Sequence, residues 1–241
     1  MAIGERVDVD KVLNAKEFFD YPYPAPNHAG ISTIQSMRNE ESTMMTTSDY
    51  LVAFSTQSHS YCVGCVDIVN STKISASMPS HKLSCYYETF LNSMSRIIGK
   101  FGGKVIKNVG DCLLYYFPDS VDSKIDGITK CLDCGLAMTK AQNIICRQLT
   151  LQKLPCLSYR VSADCGPVLI MNTTDSTSLD LIGPPVNMCT KINRCANCNE
   201  FVIGGDLYER VRKLDGYSFQ QAPSRNVGFK QSYPVYKVSS Q

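Results

Sequence analysis

No stretch of this 241-residue chain approaches the ~20 consecutive apolar residues that a bilayer-spanning helix requires, so no membrane span is expected. Its opening, MAIGERVDVDKVL, carries acids and lacks an apolar core, which argues against a secretory leader and for a cytoplasmic protein. Charge of one sign is also lacking. A formal net charge of +2 leaves no electrostatic footprint for nucleic acid or an anionic membrane. No internal repeat is apparent. Hydrophobic residues nonetheless make up 44%, enough for a packed core, which excludes wholesale disorder.

Cysteine, in contrast, is plentiful at 12 residues, and three C-x-x-C pairs raise the question of zinc. Cys62 and Cys65 fall in an expected strand, where positions three apart face opposite ways and cannot chelate together. Cys131 and Cys134 sit at helical spacing among apolar residues, as small buried side chains do. Cys195 and Cys198, at a helix end, are the only plausible ligand pair. The cysteines as a set therefore read as buried free thiols of a reducing compartment.

Residues 1–55 differ from the rest: YPYPAPNH is proline-punctuated, and the Ser/Thr/Met-rich run after it has no sustained period. They read as an N-terminal extension and linker, with a short helix near Val12–Phe19. Residues 56–241 read as one domain. YCVGCVDIV is a short, β-branched buried strand. Leu83, Tyr87, Phe90, Leu91, Met94, Ile97, Ile98 and Phe101 form one apolar helical face, closed by Gly102 and Gly103. KVIKNVGDCLLYYFP gives two strands about a tight turn at Asn108–Gly110. A helix follows over 122–147, then two strands broken at Gly166–Pro167, and a helix opening at Pro184–Pro185. A strand, a short helix and a closing strand finish the chain. The order predicts an α+β fold, a ferredoxin-like or palm-type βαββαβ core with C-terminal additions.

Asp67 ends the first core strand and Asp111 sits just past the hairpin turn. If those strands are neighbours, both carboxylates reach one sheet edge, where they repel unless protonated or bridged by cations. Taken singly, each is an ordinary turn acid. Three motifs in fixed order carry more: V-D-I-V-N-S-T, K-N-V-G-D, and D-L-I-G-P-P-V-N-M-C-T-K.

Together these motifs resemble the class III adenylate and guanylate cyclases over Tyr61–Val238. The resemblance implies two divalent metal ions, Mg²⁺ or Mn²⁺, held by Asp67, Asp111 and the Ile68 carbonyl. It implies base reading by Lys107 and Asp180, ribose orientation by Asn187, and a transition-state cation at Lys191, where the family usually has arginine. Lys230 is matched to the lysine that meets the β- and γ-phosphates. Lysine donates to adenine N1 and aspartate accepts from its exocyclic amine, whereas guanine presents the reverse polarity, so this pair selects ATP. Arginine offers phosphate a planar fork and lysine a point charge, so Lys191 implies slower turnover. Arg194, nearly two helical turns beyond Asn187, is not expected to substitute without a local rearrangement. Asn70 stands where the family has glycine, and asparagine tolerates the left-handed turn required there. Gly204–Gly205–Asp206 is similar to a diguanylate cyclase signature but follows a late strand, and is set aside. The expected activity is an adenylate cyclase with ATP as substrate, acting as a homodimer with shared active sites. The alternative is a weakly active cyclase-homology domain that senses ATP.

Overall fold

The computed structural model describes residues 52–118, 124–173, 180–223 and 233–241. Strand β2 (His59–Ile68) leads through a short helix α1 (Ser71–Ser77) into helix α2 (Ser80–Lys100). The hairpin β3 (Lys104–Val109) and β4 (Cys112–Phe117) follows, then helix α3 (Lys124–Leu151) and strand β5 (Tyr159–Thr173). These run β3-β4-β2-β5 across the sheet, every neighbouring pair antiparallel, which is the βαββαβ core the sequence predicts. Helix α4 (Pro184–Ile192), strand β7 (Phe201–Gly204), helix α5 (Gly205–Val211) and the hairpin β8 (Tyr217–Gln221) with β9 (Val235–Ser240) extend the sheet beyond β5.

Two short strands carry no period that a sequence could reveal. β1 (Val52–Phe54) and β6 (Asp180–Ile182) each pair with the far half of β5. The expected break at Gly166–Pro167 does not occur; β5 is a single 15-residue strand that changes partners there. The Val161 N–H bonds toward the β7 side, to Glu200 O at 3.0 Å, and alternation sends the donor missing from Pro167 the same way. That side is vacant of ladder partners, because β7 pairs only to Ala163 and β6 begins at Leu169. Proline is tolerated where no ladder bond is asked of it.

Alternation along β2 divides the core. Cys62, Val66 and Ile68 face α2 and α3, packing with Tyr86, Phe90, Met94, Leu132 and Leu149. Val63 and Cys65 face the other way, against Ile106, Leu114, Val168, Leu181 and Cys189 of α4. The two cysteines of this C-x-x-C pair thus lie on opposite faces, as strand geometry demands. A Cβ on Gly64 would sit 2.2 Å from Tyr115 Cζ, so only glycine lets that ring cross β2. At the end of α2, Gly102 takes φ 78° and the Gly103 N–H caps Ile98 O at 2.9 Å.

The free-thiol expectation fails at one place. Cys146 of α3 and Cys156 of the following loop form a disulfide, and the other described cysteines are free. The ten-residue separation lets the end of α3 fold back on its own connection, a contact no C-x-x-C pattern announces. Cys195 is buried and Cys198 exposed, and both are free thiols.

Candidate active site

Asp67 is the second-last residue of β2, paired with Cys112 of β4 on one side and Arg160 of β5 on the other. By alternation it projects from the face it shares with Cys65, the face covered by α4. The hairpin turn falls at Gly110–Asp111 rather than at Asn108–Gly110, with Gly110 at φ 64°, so Asp111 lies in the turn itself. That turn places the Asp111 carboxylate in hydrogen-bonding reach of Asp67.

Burial, then the charge of Asp111 and the shared hydrogen bond, push the Asp67 carboxyl up from 3.8 to about 6. The guanidinium charges of Arg160 and Arg194 pull the other way. Asp111 Oδ2 is buried with no hydrogen-bond partner among the described residues, and so is Arg160 Nε. A carboxylate oxygen left unpaired beside a second carboxylate is the donor set a hard divalent cation fits. Ile68, whose carbonyl the family resemblance matches to a metal position, is the next residue of β2. Among the described residues, no three His, Cys, Asp or Glu side chains gather at one point. Mg²⁺ is commonly held by one or two carboxylates, with phosphates and water completing its shell.

Lys107 of β3 and Asp180 of β6, distant in sequence, meet in a hydrogen-bonded ion pair. Asp180 also accepts from the Leu181 N–H at 2.8 Å, which fixes its carboxylate. Asn187 and Lys191 lie on the exposed side of α4, one turn apart and so on one face. Lys230 lies outside the described residues. Asn70 takes φ 60°, ψ 28° at the start of α1, the left-handed geometry expected of it. Gly204–Gly205–Asp206 joins β7 to α5, away from the hairpin; a Cβ on Gly204 would strike Asp164 Oδ2 at 2.3 Å, so the glycines serve packing. A groove of about 350 Å³ between the start of α2 and Gln152–Leu154 contains none of these residues.

Sequence reasoning missed Arg160 altogether and set Arg194 aside. Arg160 is marked only by its ladder position opposite Asp67, which no linear pattern gives. Arg194 enters because α4 ends at Ile192 and tightens into a 3₁₀ turn over Asn193–Cys195.

The antiparallel palm core thus carries one carboxylate near the end of β2 and a second in the β3–β4 turn beside it. The chain belongs to the adenylate and guanylate cyclase catalytic domain family, whose model matches residues 54–238. The adenylyl cyclase CyaB from P. aeruginosa aligns at TM-score 0.69 and 25% identity, over 77% of this chain and 96% of that one. The guanylyl cyclase Cya2 aligns at TM-score 0.65 and 18% identity, over 76% of this chain and 93% of that one, a likeness of fold. A photoactivated adenylate cyclase subunit beta-like protein of Euglena gracilis is 30% identical over 135 residues. That match takes in 50% of this chain but only 14% of the Euglena protein's length. No helix among the described residues is long and apolar enough to cross a membrane.

Proposed function

We propose that this domain is an adenylate cyclase that converts ATP to 3′,5′-cyclic AMP and pyrophosphate at a site shared between two copies. The observation that carries the reading is the meeting of Lys107 with Asp180. A donor and an acceptor side by side match adenine's N1 and exocyclic amine, and oppose guanine's N1–H and O6.

In this reading Asp67, Asp111 and the Ile68 carbonyl of one copy hold the metal side. Lys107, Asp180, Asn187 and Lys191 of the other copy hold the base, the ribose and the reacting phosphate, with Lys230 toward the β- and γ-phosphates. Two Mg²⁺ or Mn²⁺ ions suit the all-oxygen donors and, when bound, supply Lewis acidity at the attacking and leaving oxygens. Arg160, beside Asp67, meets the triphosphate's negative charge. Asn187 orients the ribose so that the 3′-oxygen lies in line with the α-phosphorus. That oxygen loses its proton and bonds to phosphorus as the bond to the β-bridging oxygen breaks, releasing pyrophosphate.

The exposed Val105 and Val109 flank Lys107 on β3, and Leu169 and Ile182 lie near Asp180. An apolar surface around half a site supports its burial against a second copy. In this account residues 56–241 constitute the catalytic unit and 1–55 its extension, whose β1 joins the unit's sheet through β5.

A second reading, a weakly active ATP sensor, draws on Lys191, whose point charge replaces a planar fork. Incubating the purified protein with ATP or GTP and Mg²⁺ or Mn²⁺ separates the two. Cyclic AMP in clear excess over cyclic GMP, lost in Asp67→Ala, supports the enzyme. No product from either nucleotide while ATP still binds supports the sensor.

A further inference from the structure

Two thiols stand against each other beside the paired carboxylates. Cys65 of β2 and Cys112 of β4 approach to 3.2 Å between sulfurs, one thiol donating to the other. The ladder pairs Cys112 with Asp67 and Cys65 with Leu114, so the two cysteines are diagonal neighbours on the face covered by α4. Cys112 is tied to both carboxylates, peptide-bonded to Asp111 and cross-strand partner of Asp67. The third thiol on this face, Cys189 of α4, is committed elsewhere, donating to Val186 O at 3.2 Å.

The two cysteines differ in access. Cys65 is 2% exposed, whereas Cys112, the first residue of β4 after the hairpin turn, is half-buried. A small oxidant entering from solvent therefore meets Cys112 first. A disulfide holds its sulfurs about 2.05 Å apart, so closure asks for a further approach of about 1 Å. Diagonal strand neighbours ordinarily stand about 7–8 Å apart at Cα, wider than the ~4.4–6.8 Å that a disulfide spans. Closing the bond draws the start of β4 along β2 and carries Asp111 with it. Mg²⁺ demands near-ideal octahedral ligation, so carboxylates displaced in this way hold it poorly.

We propose that Cys65 and Cys112 form a reversible oxidation site for hydroperoxides, and that its disulfide form shuts the metal site. The effect on turnover rests on the cyclase reading; the bond itself does not. The Cys112 sulfur attacks one oxygen of hydrogen peroxide and the O–O bond breaks. The other oxygen leaves with the thiol proton as water, and Cys112 becomes a sulfenic acid. The Cys65 sulfur then attacks that sulfur, and the sulfenic hydroxyl leaves with the Cys65 proton as a second water. Two thiols are oxidised to one disulfide while one peroxide is reduced to two waters. A dithiol reverses the bond by exchange and is itself oxidised.

Peptide mapping tests the site. The purified chain, treated with hydrogen peroxide, then unfolded and alkylated, should yield a disulfide-linked peptide joining Cys65 to Cys112 that dithiothreitol removes. Oxidation should lower cyclic AMP formation about 10²-fold, the scale of a ~1 Å misplacement, and dithiothreitol should restore it. The oxidised protein should also lose the Mn²⁺-induced rise in Tm. Cys112→Ser, which retains the Cys146–Cys156 bond, should keep the basal rate through both treatments and so exclude that bond as the cause. In Cys65→Ala, Cys112 should stop at the sulfenic acid and be labelled by dimedone. No linked peptide, a bridge between other free cysteines in its place, or a bridged protein that turns over fully or keeps its Mn²⁺ shift overturns the proposal. Should Cys65→Ala not fold, the peptide map and Cys112→Ser still decide. Protein without cyclase activity before oxidation counts against the cyclase reading alone, because the linked peptide and the Mn²⁺ shift are read without turnover.

Discussion

Lys107 and Asp180 are joined across the sheet edge, the lysine ammonium of β3 donating to the aspartate carboxylate of β6. Half-exposed, the pair adds little to stability. Its polarity is what matters, and reversing it should reverse nucleotide choice. Lys107→Glu with Asp180→Asn sets an acceptor against guanine N1–H and a donor against O6. The ATP kcat/KM should fall by about 10²- to 10³-fold and cyclic GMP should become the main product. Steady-state assays with both nucleotides check this; an unchanged ATP preference would place base reading elsewhere.

Asp67 predicts a conflict between folding and function. Its carboxyl is pushed up to about 6 in the metal-free fold, against 3.8 when unperturbed. The folded state therefore favours the protonated form. Its contribution is fully present below the unfolded value and is lost as pH rises through about 6. Asp67→Asn, which removes the charge, should raise the Tm of metal-free protein at pH 7.5 by about 2–4 °C. The gain should shrink toward pH 4, while cyclase activity disappears. Thermal melts in chelator across this range measure the effect, and a lower Tm in Asp67→Asn at pH 7.5 contradicts it. Mn²⁺ should raise the Tm of the wild type but not of the variant.

The Cys146–Cys156 disulfide closes a short loop between α3 and the segment that leads to Arg160. Cross-links of that span stabilise by about 2–3 kcal/mol. Reductant should lower the wild-type Tm, and Cys156→Ser should melt at the reduced value whether or not reductant is present. Identical wild-type melts in both conditions would show that the bond contributes nothing.

Much of this fold is legible in the sequence because its signals are local. Phe90, Met94, Ile97, Ile98 and Phe101 of the apolar α2 face are buried as their helical spacing predicts, whereas Leu83, Tyr87 and Leu91 are half-buried and the buried Tyr86 lies outside that pattern; Cys62 and Cys65 obey strand alternation. Asp67 and Asp111 are found through motif order, and β2–β4 pairing brings them together. What stays hidden depends on long-range register. β1 and β6 are three residues each, too short for any period to show. The continuity of β5 through Pro167 depends on where β7 stops and β6 begins. Arg160 is visible only from the residue it faces, and Arg194 only from a helix that tightens at Asn193.

The central claim is that one chain supplies the metal side and another the base side of each site. Asp67→Ala and Asn187→Ala, each inactive alone, should be purified separately, mixed in equal amounts and assayed for cyclic AMP from ATP with Mn²⁺. The account predicts recovery toward about a quarter of the wild-type rate, since half the dimers are mixed and each holds one intact site. A mixture no more active than its components, with mixed dimers confirmed in solution, would contradict it.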